Sequence, residues 1–302
     1  MAGLKEIRGR IKSVKSTQQV TKAMKLVSAS KLRRAQDRIL QLRPYALKLQ
    51  ELINNVVSVM DAEEVPSRLV EQRPVENILV VLVTSNRGLC GPFNANIIKH
   101  TMTFLEENHA EDLANGKVSF LCMGRKGYEH FQKRNYKMVG ENYDVLSNLS
   151  FDTVDEVTNI AFEYFLEKKV DKVYLMFNEF KNVMSQIRHA DTLLPLSVEN
   201  LATEEEASEE KQELLNSDYL FEPGKEEILT ELIPKSLRIA VYRAVLESNA
   251  AEQGARMVAM DAATENANEL LKALKLEYNR ARQAAITKEI LEIAAGADAL
   301  AN

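Results

Sequence analysis

An apolar seam that repeats every seven residues is the feature that most constrains this chain. Steps of three and four residues from Leu4 to Met60 visit 17 positions, of which 13 are apolar. A heptad seam held over this length is typical of a coiled coil rather than of a globular helix. The sequence therefore predicts an N-terminal coiled-coil helix over residues 1–60, with one face buried against a second helix.

The seam lapses at four polar positions, and a second apolar stripe runs beside the gap. The polar positions are Gln18, Thr21, Lys25 and Ser28. The stripe comprises Val20, Met24 and Val27. We therefore expect something other than the partner helix to face this stretch. We also expect a bend at Pro44, because proline removes a backbone donor from a helix interior.

A second seam, from Leu246 to Ala285, can pair with the first. Ten of its 12 positions are apolar, and many of them are alanine, which allows two helices to approach closely. We interpret Pro234 as a first-turn proline, and the C-terminal helix is predicted over residues 231–302. The simplest arrangement is an antiparallel coiled coil of the N- and C-terminal helices.

Between the seams, residues 75–200 alternate strand-like and helix-like segments. Predicted strands cover 77–84, 117–123, 137–145 and 172–180, with a last extended segment over 189–196. Predicted helices cover 93–108, 128–134 and 153–168. The first strand is an unbroken apolar run, as in a strand buried on both faces of a parallel sheet. The predicted fold class is therefore α+α/β, in which an α/β domain with a mostly parallel sheet is inserted into the coiled coil.

Charge is distributed unevenly along the chain. Residues 1–50 contain 13 Lys and Arg but only two acids, a net charge of +11. We interpret this segment as facing an acidic partner, and a solvated helix face is the alternative. Residues 201–230 are predicted to be an acidic insert or linker centred on residues 203–210.

No catalytic pattern accompanies the α/β segment. Residues 85–91, SNRGLCG, follow a strand and precede a helix, where phosphate loops and nucleophile turns occur, but they fit none of those motifs. The four histidines lack metal-ligand spacing, and Cys90 and Cys122 are expected to be buried thiols. We predict no cofactor, no metal site and no catalysis by this chain alone.

The C-terminal stretch carries an apolar face that needs a cover. The spacing of Ile286, Ile290 and Ile293 places them on one helix face. Three polar residues lie at the edge of this stretch: Gln283, Thr287 and Glu289. Since exposed apolar patches favour association, we expect this tail to lie in an apolar sleeve of a partner.

Three blocks of the sequence resemble the γ subunit of F-type ATP synthases. The first is residues 7–35, with TKAM at 21–24 and SASK at 28–31. The second is SNRGLCG at 85–91, followed by Phe93 and Asn94. The third is residues 255–297, with ARMVAM at 255–260 and YNRARQAAITKE at 278–289. The resemblance covers nearly the whole chain in the same order.

This resemblance implies the central-stalk rotor of a bacterial enzyme. The rotor would turn inside a ring of alternating α and β subunits and couple ion-driven rotation of the c ring to ATP synthesis, with the ATP chemistry on β. It implies further contact with the ε subunit, a role in hydrogen ion transport, no nucleic-acid partner, and a place at the cytoplasmic face of the inner membrane. The chain itself would be peripheral to that membrane.

The resemblance also assigns roles to single residues. Met24 matches a methionine that faces an acidic loop of β. Four further residues match positions implicated in coupling or in ring contact: Arg256, Gln283, Thr287 and Glu289.

The segment YLFEP, at 219–223, resembles the one that meets the c ring, with Phe221 and Glu222 at the contact. Two residues depart from the family pattern. Asn86 replaces a common aspartate, which removes a charge, and Phe221 replaces a common tyrosine, which removes a hydroxyl.

Taken alone, the residues leave two other functions open. One is a nucleotide-binding enzyme built on the middle α/β domain, which saturable nucleotide binding by the chain would indicate. The other is a basic coiled-coil adaptor for nucleic acid or anionic membrane, which a steep salt dependence of DNA affinity would indicate. The net charge of −5 counts against the adaptor.

Overall fold

A computed structural model of the chain describes residues 3–57, 68–141, 143–196 and 224–301. Two long helices, α1 over Leu4–Val57 and α6 over Lys225–Ala301, account for its two ends. The residues form two compact units. The first unit combines α1 up to Ala29 with α6 from Arg256, and the second comprises Ser30 to Ala255. We refer to the first as the paired-helix unit and to the second as the sheet unit.

The sheet unit contains five strands and several shorter helices. The strands are β1 Ile78–Val83, β2 Val118–Met123, β3 Lys137–Met138, β4 Lys172–Phe180 and β5 Gln186–Leu194. The helices are α2 Phe93–Asn108, α3 Ala110–Ala114, α4 Arg125–Gln132 and α5 Phe151–Leu166, with a 3₁₀ turn at Val145–Asn148.

The strands form one sheet in the order β3-β2-β1-β4-β5. Strand β1 is central and pairs in parallel with both β2 and β4, so that Ile78 lies beside Val118 and Lys172. Strand β5 returns antiparallel to β4 at one edge. The predicted mostly parallel sheet is therefore confirmed.

Burial on both faces of the sheet explains the unbroken apolar run of β1. Leu79 and its same-face neighbours pack with α5 and with the parts of α1 and α6 that belong to this unit. Ile78 and its same-face neighbours pack with α2 and α4 on the other side. Every residue of β1 and β2 is buried, as expected for parallel strands covered by helices on both faces.

The boundaries of two predicted elements, the C-terminal helix and the third strand, differ from those expected. The C-terminal helix begins at Lys225 rather than at 231, and Pro234 lies inside it. Leu229 and Ile233, one turn apart and fully buried, anchor the helix before the proline. The strand predicted over 137–145 is reduced to Lys137–Met138, because the chain turns at Gly140, where φ is +69°.

Pro44 lies inside α1, which continues through it, so the expected bend stays a prediction. The division of the chain at 1–60, 75–200, 201–230 and 231–302 also stays a prediction. The acidic segment 203–210 lies outside the described residues. Among the described residues, no helix has an apolar stretch long enough to cross a bilayer.

Gly124 is the position where the fold most requires a glycine. It lies between β2 and α4 with φ at +126°, and an added Cβ would be 2.1 Å from the carbonyl oxygen of Thr84. We expect Gly124→Ala to lower the free energy of unfolding by roughly 2–4 kcal/mol, through backbone strain and steric clash. Urea unfolding of the purified chain measures this loss.

Gly88→Ala is the matched control. An added Cβ there meets nothing within 4 Å, so the loss should stay within about 1 kcal/mol. Equal unfolding midpoints for the two variants would contradict the argument.

Candidate functional site

Polar side chains meet across the paired-helix unit where the N-terminal seam becomes polar. The hydroxyls of Thr21 and Thr264 are 2.8 Å apart, and Lys25 Nζ lies 2.6 Å from an oxygen of Asp261. Residue numbers rise along one helix as they fall along the other, so α1 and α6 run antiparallel here. We name these contacts the polar ladder, whose pairs are Gln18–Asn268, Thr21–Thr264 and Lys25–Asp261.

The polar ladder corrects one expectation from the sequence. Three of the four polar seam positions face α6 and bond to it, so the seam does not lapse for want of a helix partner. Thr21 is 8% exposed and Ser28 is 2% exposed, which is comparable to the buried seam residues Leu32 at 6% and Ile7 at 2%. The polarity is matched on the opposite helix, which periodicity within α1 alone does not reveal.

The apolar parts of the two seams fit the same register. Extension of the Thr21–Thr264 pair by heptads places Val14 opposite Leu271 and Ile7 opposite Tyr278. Ile7 is buried on α1, as are Leu271 and Leu274 on α6. Apolar layers therefore continue the polar ladder toward the end of α6.

The second stripe of α1 turns outward. Val20 is 55% exposed and Val27 is 56% exposed, while Met24 between them is half-buried beside the ladder. Every lysine and arginine from Lys5 to Lys22 is exposed. The outer face of α1 is thus apolar along one line and basic around it.

The end of α6 exposes a second surface. Ile286, Ile290 and Ile293 are 49%, 59% and 73% exposed. The register leaves the residues after Ala285 without a partner from the described part of α1. Three predicted contact residues are exposed along this apolar tail: Gln283, Thr287 and Glu289.

The predicted site residues therefore do not form one cluster. Met24 lies near the polar ladder, and the residues from Gln283 to Glu289 lie about 35 Å further along the helix pair. Arg256 differs from the others because its side chain is 8% exposed. Phe221 and Glu222, expected at the c ring, lie outside the described residues.

The turn at residues 85–91 is closed by its own side chains. Asn94 accepts the backbone N–H of Ser85 at 2.9 Å and donates to the Ser85 hydroxyl at 2.7 Å. The same amide donates to the Cys90 sulfur at 3.2 Å. Cys90 packs with Phe93 against α6, so the turn fastens α2 to that helix within the sheet unit.

Asn86 gives the departure from the family pattern a physical meaning. Its side-chain oxygen accepts the backbone N–H of Arg125, and its amide donates to Ser147 at 3.0 Å and to Asp144 at 3.4 Å. An amide can do both, whereas an ionised carboxylate only accepts. Asn86 thus ties the turn to two other segments without a charge.

Cys90 and Cys122 are both buried thiols, as expected. Burial raises the pKa of Cys122 to about 12, which keeps that thiol protonated and unreactive near neutral pH. Among the residues that the structure describes, no group of three His, Cys, Asp or Glu side chains is placed to hold a metal ion.

The α6 half of the polar ladder was not predicted from the sequence. Asp261 and Asn268 were not singled out, although Asp261, Thr264 and Asn268 are spaced by three and then four residues, as are Gln18, Thr21 and Lys25. A comparison of the polar positions of the two seams, rather than of their apolar positions alone, would have found the pairs.

Comparisons with known proteins agree along the whole chain. A family model described as ATP synthase matches residues 3–300. The ATP synthase gamma chain of Cytophaga hutchinsonii is 50% identical over 302 residues and is matched over the full length of both chains. The protein of the same name from Chlorobaculum tepidum is 51% identical over 300 residues, 99% of each chain.

Chains in solved ATP synthase structures have a similar fold. A chain from the central stalk and c-ring structure of the Tetrahymena thermophila mitochondrial ATP synthase matches with a TM-score of 0.54 at 25% identity, over 81% of this chain and 99% of that one. A chain from the Euglena gracilis mitochondrial ATP synthase matches with a TM-score of 0.63, over 98% of this chain and 94% of that one. At 20% identity, the second match shows a shared fold.

The closed turn makes a direct prediction for hydrogen exchange. Asn94→Ala removes the acceptor of the Ser85 N–H, so we expect that amide to exchange at least roughly tenfold faster, as for a loss of about 1–2 kcal/mol of protection. Exchange followed by mass spectrometry on a peptide that spans residues 84–92 measures it.

The control is Asn108→Ala, whose side chain donates only within its own helix, to the Phe104 carbonyl. Exchange in the 84–92 peptide should be unchanged in that variant. Unchanged exchange in Asn94→Ala would show that the amide does not hold the turn closed.

Proposed function

The chain belongs to the ATP synthase gamma-chain family, the family of the central stalk, and we propose that it turns as the rotor inside a ring of α and β subunits. In this role it couples ion-driven rotation of the c ring to ATP synthesis in the ring of α and β subunits. The ATP chemistry is assigned to β, and this chain contributes shape and contact rather than a catalytic group.

The exposed apolar tail is the observation that carries the proposal. Three isoleucines between 49% and 73% exposed on the end of a long helix make a surface that favours cover by a partner. A sleeve formed by a ring of subunits would cover the tail on all sides while leaving it free to turn. Gln283, Thr287 and Glu289 are our proposed contacts with that ring.

Electrostatics supports a second contact around Met24. The exposed basic residues of α1 surround the outward stripe of Val20, Met24 and Val27, and an acidic loop of β would complement them. Arg256 is proposed as a fourth coupling position on α6. Its low exposure favours a role in holding the helices rather than a first contact with the ring.

An asymmetric shaft explains how a subunit without catalytic groups can drive catalysis. As the shaft turns, each of its faces meets the three catalytic subunits in succession, which changes their affinity for nucleotide. This is allosteric coupling by rigid-body rotation, in which the free energy comes from contacts that differ between orientations.

We also propose that this chain contacts the membrane sector. Phe221 and Glu222 would meet the c ring, and the sheet unit would lie beside the ε subunit. The chain would then be a peripheral subunit at the cytoplasmic face of a bacterial inner membrane. No specific observation favours the nucleotide-binding enzyme or the nucleic-acid adaptor.

Isolation of the native complex tests this function. We expect a tagged copy of the chain to co-purify from its native membranes with α and β subunits in threefold excess, with ε, and with ATP hydrolysis activity. Elution of the chain alone or with nucleic acid would contradict the proposal.

The proposed contact of Met24 makes a prediction about coupling. Met24→Lys adds a cation opposite the acidic loop, which should hold the rotor too tightly at one orientation. We expect the ratio of protons pumped to ATP hydrolysed to fall roughly fivefold, as for a coupling change of about 1 kcal/mol. Vesicles that contain the reconstituted complex allow both rates to be measured.

Met184→Lys is the matched control, because Met184 is 84% exposed in the turn between β4 and β5. That variant should pump normally. Normal pumping by Met24→Lys as well would remove Met24 from the contact.

A further inference from the structure

We propose that the polar ladder fixes the axial register of α1 against α6, and thereby positions the two surfaces that face the ring relative to each other. Those surfaces are the outward stripe around Met24 and the apolar tail that follows Ala285. The ladder residues are thus positioning residues for coupling, and this consequence rests on the function proposed above.

The apolar seams alone do not define one register. Leucine, isoleucine and alanine recur every three or four residues on both helices, so a shift by one heptad still places apolar side chains against apolar side chains. Buried polar residues in a coiled coil remove this degeneracy, because they find partners in only one alignment.

The part-buried threonine pair discriminates most strongly between alignments. In the observed register Thr21, 8% exposed, bonds to the hydroxyl of Thr264. A shift by one heptad would place Thr21 opposite Leu271 or Met257. Neither side chain offers a hydroxyl, so in both shifted alignments Thr21 keeps only its bond to the Gln18 carbonyl within α1 and loses the hydrogen bond between the helices.

The charged pair adds discrimination more than stability. The side chains of Lys25 and Asp261 are 38% and 61% exposed, and exposed ion pairs stabilise a fold only slightly. A shift that brings Lys25 opposite Asn268 separates the charges. The pair therefore adds little to the stability of the observed alignment but lowers the stability of a shifted one. Specificity depends on this difference in stability between the two alignments.

A change of register would matter for the rotor because it moves one contact surface past the other. One heptad corresponds to about 10 Å along a helix. The tail would shift by that distance relative to the stripe around Met24, so the ring could not meet both surfaces at the same orientation. The expected result is a complex that still hydrolyses ATP but pumps fewer protons for each ATP.

Engineered disulfides report the register in the assembled complex. Val14→Cys with Leu271→Cys tests the observed alignment, and Val14→Cys with Tyr278→Cys tests an alignment shifted by one heptad. The native thiols are buried and do not compete. With the ladder intact, we expect oxidation to link only the first pair.

The ladder is then replaced by apolar side chains, and cross-linking and pumping are both measured. The replacements are Gln18→Leu, Thr21→Val, Lys25→Met, Asp261→Leu, Thr264→Val and Asn268→Leu. We expect the shifted cross-link to rise at least tenfold and the pumping ratio to fall. A single observed alignment with unchanged pumping would overturn the proposal, and a shifted alignment with unchanged pumping would overturn its functional part.

If the six replacements prevent assembly, an exchange of charges between Lys25 and Asp261 tests whether the polar ladder sets the register. Lys25→Asp and Asp261→Lys should each lower the native cross-link and the pumping ratio, and the two together should restore both. The control, Lys22→Asp with Asp261→Lys, has the same net charge as the exchange but does not rebuild the pair, so it should not recover. Single variants that behave as wild type, or an exchange that fails to restore, would overturn the proposal.

The wild-type complex separates this inference from the proposed function. If wild-type vesicles couple ATP hydrolysis to pumping while the ladder variants couple equally well, only the role of the ladder fails. If the wild-type chain does not assemble with an ATPase ring, the proposed function fails, and the cross-links still report whether the ladder sets the register.

Discussion

The paired-helix unit depends on one constraint: two amphipathic helices must run antiparallel in a single register to cover each other. The apolar layers supply most of the burial, with Ile7, Leu271 and Leu274 all below 10% exposure. The polar ladder makes the alignment unique by pairing hydroxyl with hydroxyl and cation with carboxylate. Everything proposed for the outer faces, from the stripe around Met24 to the apolar tail, follows from which residues this pairing leaves outside.

In the sheet unit, other parts of the same two helices cover a β-sheet. Its strands are buried on both faces, so the helices that cover them include residues of α1 and α6 as well as α2, α4 and α5. The turn at residues 85–91 also contacts α6, since Cys90 and Phe93 pack on the small side chains of Ala251 and Ala255. In other α/β proteins a turn between a strand and a helix often binds phosphate. In this chain the turn instead connects the sheet to a long helix, which is consistent with a subunit that transmits force.

The sequence could predict the elements whose signal is local. The unbroken apolar run of β1, the boundaries of α2 and β4, and the burial of both seams are properties of residues a few positions apart. It could not predict what depends on distant residues. The helix starts at Lys225, before Pro234, because buried leucine and isoleucine side chains anchor its first turns. The polar positions of α1 were assigned to an external partner, because their true partners lie more than 200 positions away.

Rotation of this chain can be observed directly in single complexes. A bead attached through Met184→Cys would report the motion of this chain while the ring is fixed to glass, because Met184 is the most exposed large apolar side chain in the part of the chain that the structure describes. We expect steady rotation in one direction when ATP is added, and none without it. Sustained ATP hydrolysis by complexes whose beads do not turn would contradict this expectation.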